Sequence, residues 1–338
     1  MKLREPQVAV MGAGSWGTAV ASIVADSAPT ILWARSPEVA EDVNDNHRNS
    51  KYLGDIELHK NLRATSDVEE AVCDADVLIM GVPSHGFRDV LTEAAPYLRP
   101  WIPVVSLVKG LEQGTDYRMT QIVAEVAPGH PAGVLAGPNI ACEVTAGYAA
   151  AATIAMPDQS SADKLAELFR TERYRIYTTT DVLGVEIAGA LKNVFAIAAG
   201  MGDGAGAGYN TKAMVITRAV REMARFGEAL GGEPVTFAGL AGTGDLIVTC
   251  TSPASRNRRV GEELGKGKKI DEVLAGMNQV AEGVKTVSVV MEMAAQRGLN
   301  MPIAAEVHGV VNLGRTAGDA YRGLLRTTPG HEVHGEGW

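Results

Sequence analysis

The sequence predicts an α/β chain, with a doubly wound, largely parallel sheet followed by an all-α C-terminal domain. Three observations carry this. The stretch Met11-Gly12-Ala13-Gly14-Ser15-Trp16-Gly17-Thr18-Ala19 sets three spaced glycines between an apolar run and a helical pattern. Short apolar runs then alternate with helical patterns through the first half of the chain, as right-handed strand–helix–strand crossovers require. From about Asp181 onward the strand pattern stops and only helical periodicity remains.

The first strand is the apolar run Val8-Ala9-Val10-Met11, and the helix after it opens at Thr18-Ala19-Val20-Ala21. Between them lies G-x-G-x-x-G in strand–turn–helix context, the fingerprint of a Rossmann-type dinucleotide site. Gly12 permits the tight turn, Gly14 lets the backbone approach a pyrophosphate, and Gly17 lets helix pack on strand. The N–H groups at the helix N-terminus then face the phosphates. Further strands are expected over residues 30–34, 76–82, 103–108, 133–136, 149–155 and 174–178, with helices over 84–95 and 116–126. Ser66-Asp67-Val68-Glu69 reads as a capping box for a short helix. Beyond Asp181, helices are expected over 181–200, 210–230, 255–265, 282–297, 302–312 and 317–325, joined by glycine-rich connections such as 201–208. The domains expected are 1–184, binding a dinucleotide; 185–326, all-helical and carrying substrate and catalysis; and a disordered tail, 327–338. The active site is expected between the two domains.

The chain has 338 residues, enough for two such domains. Its formal net charge of −9 gives no reason to expect a nucleic-acid partner or an anionic membrane, so an anionic substrate must be met by a local basic cluster. Cys73, Cys142 and Cys250 are few, odd in number and far apart, which points to a reducing cytosol rather than a disulfide framework. No Cys/His spacing suggests a metal site, and His331 and His334 fall in the polar tail. Lys2 and Arg4 ahead of an apolar stretch mimic a secretion signal, but the fingerprint glycines interrupt that stretch. No uninterrupted apolar run is long enough for membrane insertion.

Several groups have the chemistry of a site. The helix from Asp181 to Gly200 is apolar on every face yet carries Glu186, Lys192 and Asn193. A lysine in a buried helix needs a partner or a task; it is a structural ion pair or a base whose pKa burial has lowered. Lys109 follows the strand 103–108, on the face where the cofactor lies, and competes with an ordinary surface-loop lysine. Asp245, after Gly242-Thr243-Gly244, either caps the next helix or orients a lysine. Ser252-Pro253-Ala254-Ser255-Arg256-Asn257-Arg258-Arg259 reads as a helix start with proline in its first turn. Its arginines oppose the macrodipole, so they meet either a bound phosphate or Glu262 and Glu263 one turn on. The second strand ends in Ala34-Arg35-Ser36 with no acid until Glu38, which favours NADPH or dual use over strict NAD.

Together these segments resemble the bacterial-type NAD(P)-dependent sn-glycerol-3-phosphate dehydrogenases. The resemblance rests on Gly12–Ala19, Val108-Lys109-Gly110-Leu111-Glu112, Gly137-Pro138-Asn139-Ile140-Ala141, Leu191-Lys192-Asn193-Val194, Gly242-Thr243-Gly244-Asp245-Leu246, Ser255-Arg256-Asn257-Arg258 and Ala281-Glu282-Gly283, in family order. It implies NADP(H) and/or NAD(H) as cofactor, no metal, a small phosphorylated substrate, a cytoplasmic homodimer and a role in glycerophospholipid synthesis. Lys192 would be the catalytic proton acceptor. Lys109 and Asp245 would hold the reacting end of the substrate, and Gly137, Asn139, Asn193, Thr249, Ser255, Arg256 and Asn257 would line its pocket. Arg256 and Asn257 would take the phosphate. Gly12, Gly14, Ser15, Trp16, Gly17, Arg35, Ala141, Val280 and Glu282 would contact the cofactor, with Lys109 and Arg256 reaching it as well.

Three positions depart from the family pattern: Asn139 stands where Ser or Thr is usual, Cys142 where Lys is common, and Ser36, after Arg35, where some relatives have His. The implied reaction is reversible hydride transfer between nicotinamide C4 and substrate C2, with domain closure over the 201–208 loop expected to exclude water. The alternatives are a related 3-hydroxyacid or 6-phosphogluconate-type dehydrogenase, and a catalytically silent NADP-binding sensor.

Overall fold

The computed structural model describes residues 5–277 and 281–326. The chain divides into two compact units, Met1–Val108 with Tyr117–Val182, and Lys109–Asp116 with Leu183–Trp338. The expected tail, with its two histidines, and Val280 lie outside the described residues.

The first unit is built in order from β1 (Val8–Met11), α1 (Ser15–Val24), β2 (Thr30–Trp33), α2 (Pro37–Asn46), α3 (Ser50–Leu53), β3 (Arg63–Thr65), α4 (Val68–Val72) and β4 (Val77–Met80). It continues with α5 (Ser84–Ala94), β5 (Val104–Ser106), α6 (Met119–Val126), β6 (Ala132–Ala136), α7 (Ala141–Thr145), β7 (Ala150–Ala155), α8 (Gln159–Phe169) and β8 (Tyr174–Thr179). The sheet order is β3-β2-β1-β4-β5-β6-β7-β8, doubly wound as expected, with the strand order reversing beside β1. Every pairing is parallel except β6 with β7, because the five-residue α7 turns the chain back instead of carrying it across the sheet.

Strand alternation explains the two covered faces. Val8 and Val10 point into a cluster with Val20 and Val24 of α1 and Leu165 and Phe169 of α8. Ala9 and Met11 point the other way, against Val68 of α4, Phe87 and Leu91 of α5 and Ile122 of α6. A strand buried on both faces reads as a continuous apolar run, which is why β1, β4 and β5 are visible in the sequence.

Four local expectations are corrected. The edge strand β3 is not anticipated, since Arg63-Ala64-Thr65 has no apolar run. The cap of α4 is Asp67, which accepts from Glu70 N at 3.1 Å, so the helix starts one residue later than a Ser66 cap would set. The helix expected from 116 starts at Met119, because Asp116 has φ 60° and cannot join it. The strand expected over 103–108 ends at Ser106, whose hydroxyl accepts from Val108 N.

The second unit contains α9 (Val182–Gly204), α10 (Tyr209–Ala229), α11 (Pro234–Ala238), α12 (Asp245–Thr251), α13 (Arg256–Gly265), α14 (Ile270–Ala275), α15 (Glu282–Gln296), α16 (Pro302–Asn312) and α17 (Ala317–Arg326). Helix α9 is its centre, with every residue from Gly184 to Met201 buried. By length and apolarity α9 could cross a membrane, yet 89% of its most apolar window is buried inside the protein. Around it pack Phe226 of α10, Leu246 of α12, Val260 of α13, Val287 of α15 and Ile303 of α16.

Only the second half of the 201–208 segment, residues 205–208, is the connection expected. Helix α9 runs on to Gly204, and its glycines are contact points for α13. A Cβ at Gly200 would lie 2.0 Å from Arg258 O, and one at Gly204 2.0 Å from Glu262 O. In return, a Cβ at Gly261 would lie 2.0 Å from Ile197 O, and one at Gly265 2.4 Å from Met201 O. The two helices touch backbone to backbone, which only glycine permits.

Candidate active site

In the first unit, the turn after β1 has the geometry its glycines promise. Gly12 has φ 114°, and a Cβ there would meet Gly81 C and Val82 N at 2.9 Å. A Cβ at Gly17 would lie 2.0 Å from Gly12 O, whereas Gly14 faces open space. Helix α1 begins with no side-chain cap and no acid in its first turn, so its N-terminus is suited to an anion. The buried Trp16 Nε1 has no hydrogen-bond partner among the described residues. Ser15 Oγ donates to Tyr52 O at 3.0 Å. Arg35 is exposed at the end of β2, and the nearest acid in sequence, Glu38, accepts the Ser36 hydroxyl. Ala141 opens α7 and packs against the same apolar cluster as Trp16. These features fit a dinucleotide with its pyrophosphate at the α1 N-terminus.

Asn139 and Gly137 have clear partners within this unit. Asn139 Nδ2 donates to Ala151 O at 3.0 Å and its Oδ1 accepts from Tyr174 Oη at 3.0 Å, tying the β6–α7 turn to β7 and β8. A Cβ at Gly137 would lie 2.8 Å from Ala152 Cα, so glycine is needed for the turn to pass β7.

In the second unit, Lys109, Lys192, Asp245 and Thr249 converge. The Lys192 ammonium donates to Asp245 Oδ1 at 2.6 Å and to Thr249 Oγ1 at 2.8 Å. Lys109 Nζ donates to the other carboxylate oxygen, Asp245 Oδ2, at 2.5 Å. Thr249 Oγ1 in turn donates to Asp245 O at 2.6 Å, so it is fixed as an acceptor for Lys192. Asp245 is 1% exposed, which makes its double pairing electrostatically strong. Burial pushes the Lys192 pKa down to about 8; Asp245 opposes this and the second cation, Lys109, adds to it. Lys192 is thus both paired and perturbed, so its ion pair does not exclude a proton-transfer role. Asp245 begins α12 after a π-helical turn, Leu240–Gly244, and its carboxylate orients lysines rather than capping the helix.

An amide chain holds this cluster in place. Asn193 Nδ2 donates to Lys109 O at 2.8 Å, Asn257 Nδ2 donates to Asn193 Oδ1 at 2.9 Å, and Gly283 N donates to Asn257 Oδ1 at 3.0 Å. Both asparagines are buried, and their amides link the Lys109 loop, α9, α13 and α15. A Cβ at Gly283 would lie 2.5 Å from Asn193 O, which explains the glycine after Glu282.

The arginine segment divides. Helix α13 starts at Arg256, so Pro253 lies ahead of the helix rather than in its first turn. Ser255 is the cap, accepting from Arg258 N at 3.2 Å, which gives its hydroxyl a structural task. Arg258 pairs with Asp203 at 2.7 Å and Glu262 at 3.3 Å, while Glu263 pairs with Lys266 and Lys268. Pairing with Asp203 of α9 and with Glu262 therefore accounts for Arg258. Arg256 instead has Glu282 as its electrostatic neighbour, and burial around its guanidinium lowers its pKa against that carboxylate. It stands at the first position of α13, where a cation is unfavourable on its own.

A glycine-turn dinucleotide unit joined in one chain to a helical unit with a buried Lys–Asp–Lys cluster defines a nicotinamide-dependent dehydrogenase. The family models described as NAD-dependent glycerol-3-phosphate dehydrogenase, N-terminus and C-terminus, match residues 7–162 and 181–322. Glycerol-3-phosphate dehydrogenase (NAD(P)+) of Mycobacterium avium (strain 104) is 66% identical over 338 residues, covering 100% of this chain and 99% of its own. That of Thermobifida fusca (strain YX) is 44% identical over 97% of this chain and 99% of its own. The crystal structure of glycerol-3-phosphate dehydrogenase from Coxiella burnetii matches with a TM-score of 0.91 at 32% identity, covering 95% of this chain and 99% of that one. The chain belongs to the NAD-dependent glycerol-3-phosphate dehydrogenase family.

Proposed function

We propose that this chain interconverts sn-glycerol 3-phosphate and dihydroxyacetone phosphate using NAD(P)H, with Lys192 moving the proton on the C2 oxygen. The observation that carries the proton step is a buried Lys192 on a carboxylate it shares with Lys109: burial, with Lys109 adding to it, brings its pKa down to about 8 against the pull of Asp245. When bound, the nicotinamide accepts or gives the hydride at C2. In oxidation, Lys192 as free amine takes the proton from the C2 hydroxyl; in reduction, its ammonium returns that proton to the carbonyl oxygen. Lys109, paired with Asp245, stabilises negative charge developing on that oxygen. Arg256 and the second amide N–H of Asn257 hold the phosphate, so remote binding orients C2. Asn193 and Thr249 hold Asn257 and Lys192 in place, a role their hydrogen bonds support. Asn139, Gly137 and Ser255 are proposed to line the substrate pocket, and their own partners fix the β6–α7 turn and the start of α13.

Gly12, Gly14, Ser15, Trp16, Gly17 and Ala141 are the residues proposed to hold the dinucleotide, and Arg35 to meet a 2′-phosphate. The same reading carries a cytosolic enzyme, supported by three free cysteines, and a homodimer, which light scattering on the purified protein tests. The function itself is tested by following NADPH and NADH absorbance with dihydroxyacetone phosphate. Oxidation of either coenzyme supports the reading. Coenzyme binding without oxidation replaces it with the silent sensor.

A further inference from the structure

Asp203 and Arg258 each occupy an unfavourable place. Asp203 lies in the last turn of α9, where the macrodipole disfavours a carboxylate. Arg258 lies in the first turn of α13, where it disfavours a cation. The two meet at 2.7 Å, Asp203 Oδ2 to Arg258 Nε, while Asp203 Oδ1 takes Lys212 of α10 at 2.7 Å. All three side chains are largely buried, at 13–18% exposure, so the cluster is little screened.

The pairing has a geometric consequence. Asn257 bonds to Asn193, Gly261 abuts Ile197 and Gly265 abuts Met201, so α9 and α13 run parallel and both advance four residues per contact. In that register Arg256 stands level with Lys192. Four of the touching positions, Gly200, Gly204, Gly261 and Gly265, have no side chain, so fewer knobs interdigitate to resist sliding than in an ordinary helix contact. A slide of one residue along the axis is about 1.5 Å, and a misplacement of about 1 Å costs on the order of 100-fold in rate.

We propose that Asp203 is a positioning residue for the phosphorylated substrate: through Arg258 it fixes the register of α13 on α9, and with it the spacing from Arg256 to Lys192. This rests on the reading that Arg256 holds the substrate phosphate.

The test compares parent, Asp203→Asn, Arg256→Ala and the double variant, measuring kcat and KM with dihydroxyacetone phosphate and with unphosphorylated dihydroxyacetone. Asp203→Asn should lower kcat/KM for the phosphate ester by about 10–100-fold while dihydroxyacetone turnover falls less than about threefold, since an unanchored substrate does not read the spacing. Adding Arg256→Ala should cost little more, as expected of residues acting in one chain. Asp203→Glu should restore part of the lost kcat/KM. Equal loss on both substrates, full additivity with Arg256→Ala, or no loss overturns the proposal. If Asp203→Asn does not fold, Arg258→Lys decides, because it keeps the charge and loses the guanidinium geometry; the same phosphate-selective loss is required. Arg256→Ala alone separates the two levels. If it shows no phosphate selectivity, the anchor reading falls and the positioning role with it. If it is selective and Asp203→Asn is not, only the positioning role falls.

Discussion

Lys192 Nζ and Asp245 Oδ1 stand 2.6 Å apart in the protein interior, and the same carboxylate holds Lys109 through its other oxygen. Two ammonium groups on one carboxylate leave an excess positive charge where a buried lysine already loses hydration. The outcome is a Lys192 pKa of about 8 rather than the usual lysine value.

The pH dependence follows with a definite sign. Reduction of dihydroxyacetone phosphate needs the Lys192 ammonium, so kcat should fall about tenfold per pH unit above about 8. Oxidation of sn-glycerol 3-phosphate needs the free amine, so its kcat should rise through the same region. Lys109→Met removes a charge that lowers this pKa, and should move both inflections upward. Profiles of kcat in both directions check this; inflections that Lys109→Met leaves in place contradict it.

Arg35→Asp should weaken NADPH more than NADH. A charge-assisted hydrogen bond is worth about 1.5–3 kcal/mol, so the preference should move by about tenfold or more. Equal weakening of both coenzymes, measured by fluorescence titration, would mean that Arg35 does not read the 2′-position.

The crossing of α9 and α13 predicts a stability loss at a residue remote from the chemistry. Gly261→Ala drives a methyl into Ile197 O and should cost about 1–3 kcal/mol or more in urea unfolding. Gly318→Ala, in α17 with only Thr316 Oγ1 at 3.8 Å, should be neutral or slightly stabilising. Similar effects at both glycines would remove the close-packing argument.

Glu222 of α10 supplies a pH dependence of stability. It is 1% exposed and accepts from Ile303 N at 2.7 Å and Ala304 N at 3.4 Å at the start of α16. Burial raises its pKa to about 7, against those N–H groups and the nearby Arg225 and Arg218. The folded state therefore binds more protons than the unfolded one between pH 4.5 and about 7. This contribution to stability is present at low pH and lost as pH rises through about 7, up to about 3 kcal/mol. Glu222→Gln should flatten that fall in urea titrations at several pH values, and an unchanged slope contradicts the assignment.

The sheet was legible because β1, β4 and β5 are buried on both faces and so spell continuous apolar runs. The strand β3 was not, since an edge strand of Arg-Ala-Thr has no such signature. Lys192 stood out as a charge in an apolar helix, and Asp245 by its glycine-flanked position. Which carboxylate met which lysine was hidden, because the bonds from Asp245 span 53 residues to Lys192 and 136 to Lys109. Gly200 was expected to end the helix, and Gly202 and Gly204 read as loop; Gly200 and Gly204 instead both lie in α9 against α13. The clue lay in their matching four-residue spacing with Gly261 and Gly265, a pattern that marks helix contact rather than chain flexibility. The amide chain from Lys109 through Asn193 and Asn257 to Gly283 had its members named individually except for Gly283, and no local pattern connects them.

The most direct measurement of the central claim is turnover of Lys192→Ala with dihydroxyacetone phosphate and NADPH, alongside NADPH affinity. Loss of the proton donor should cut turnover by about 10²–10⁴-fold. NADPH binding should stay close to that of the parent, because Gly12, Gly14, Trp16 and Arg35 belong to the other unit of the chain. Near-parental turnover in Lys192→Ala would contradict the account at its core.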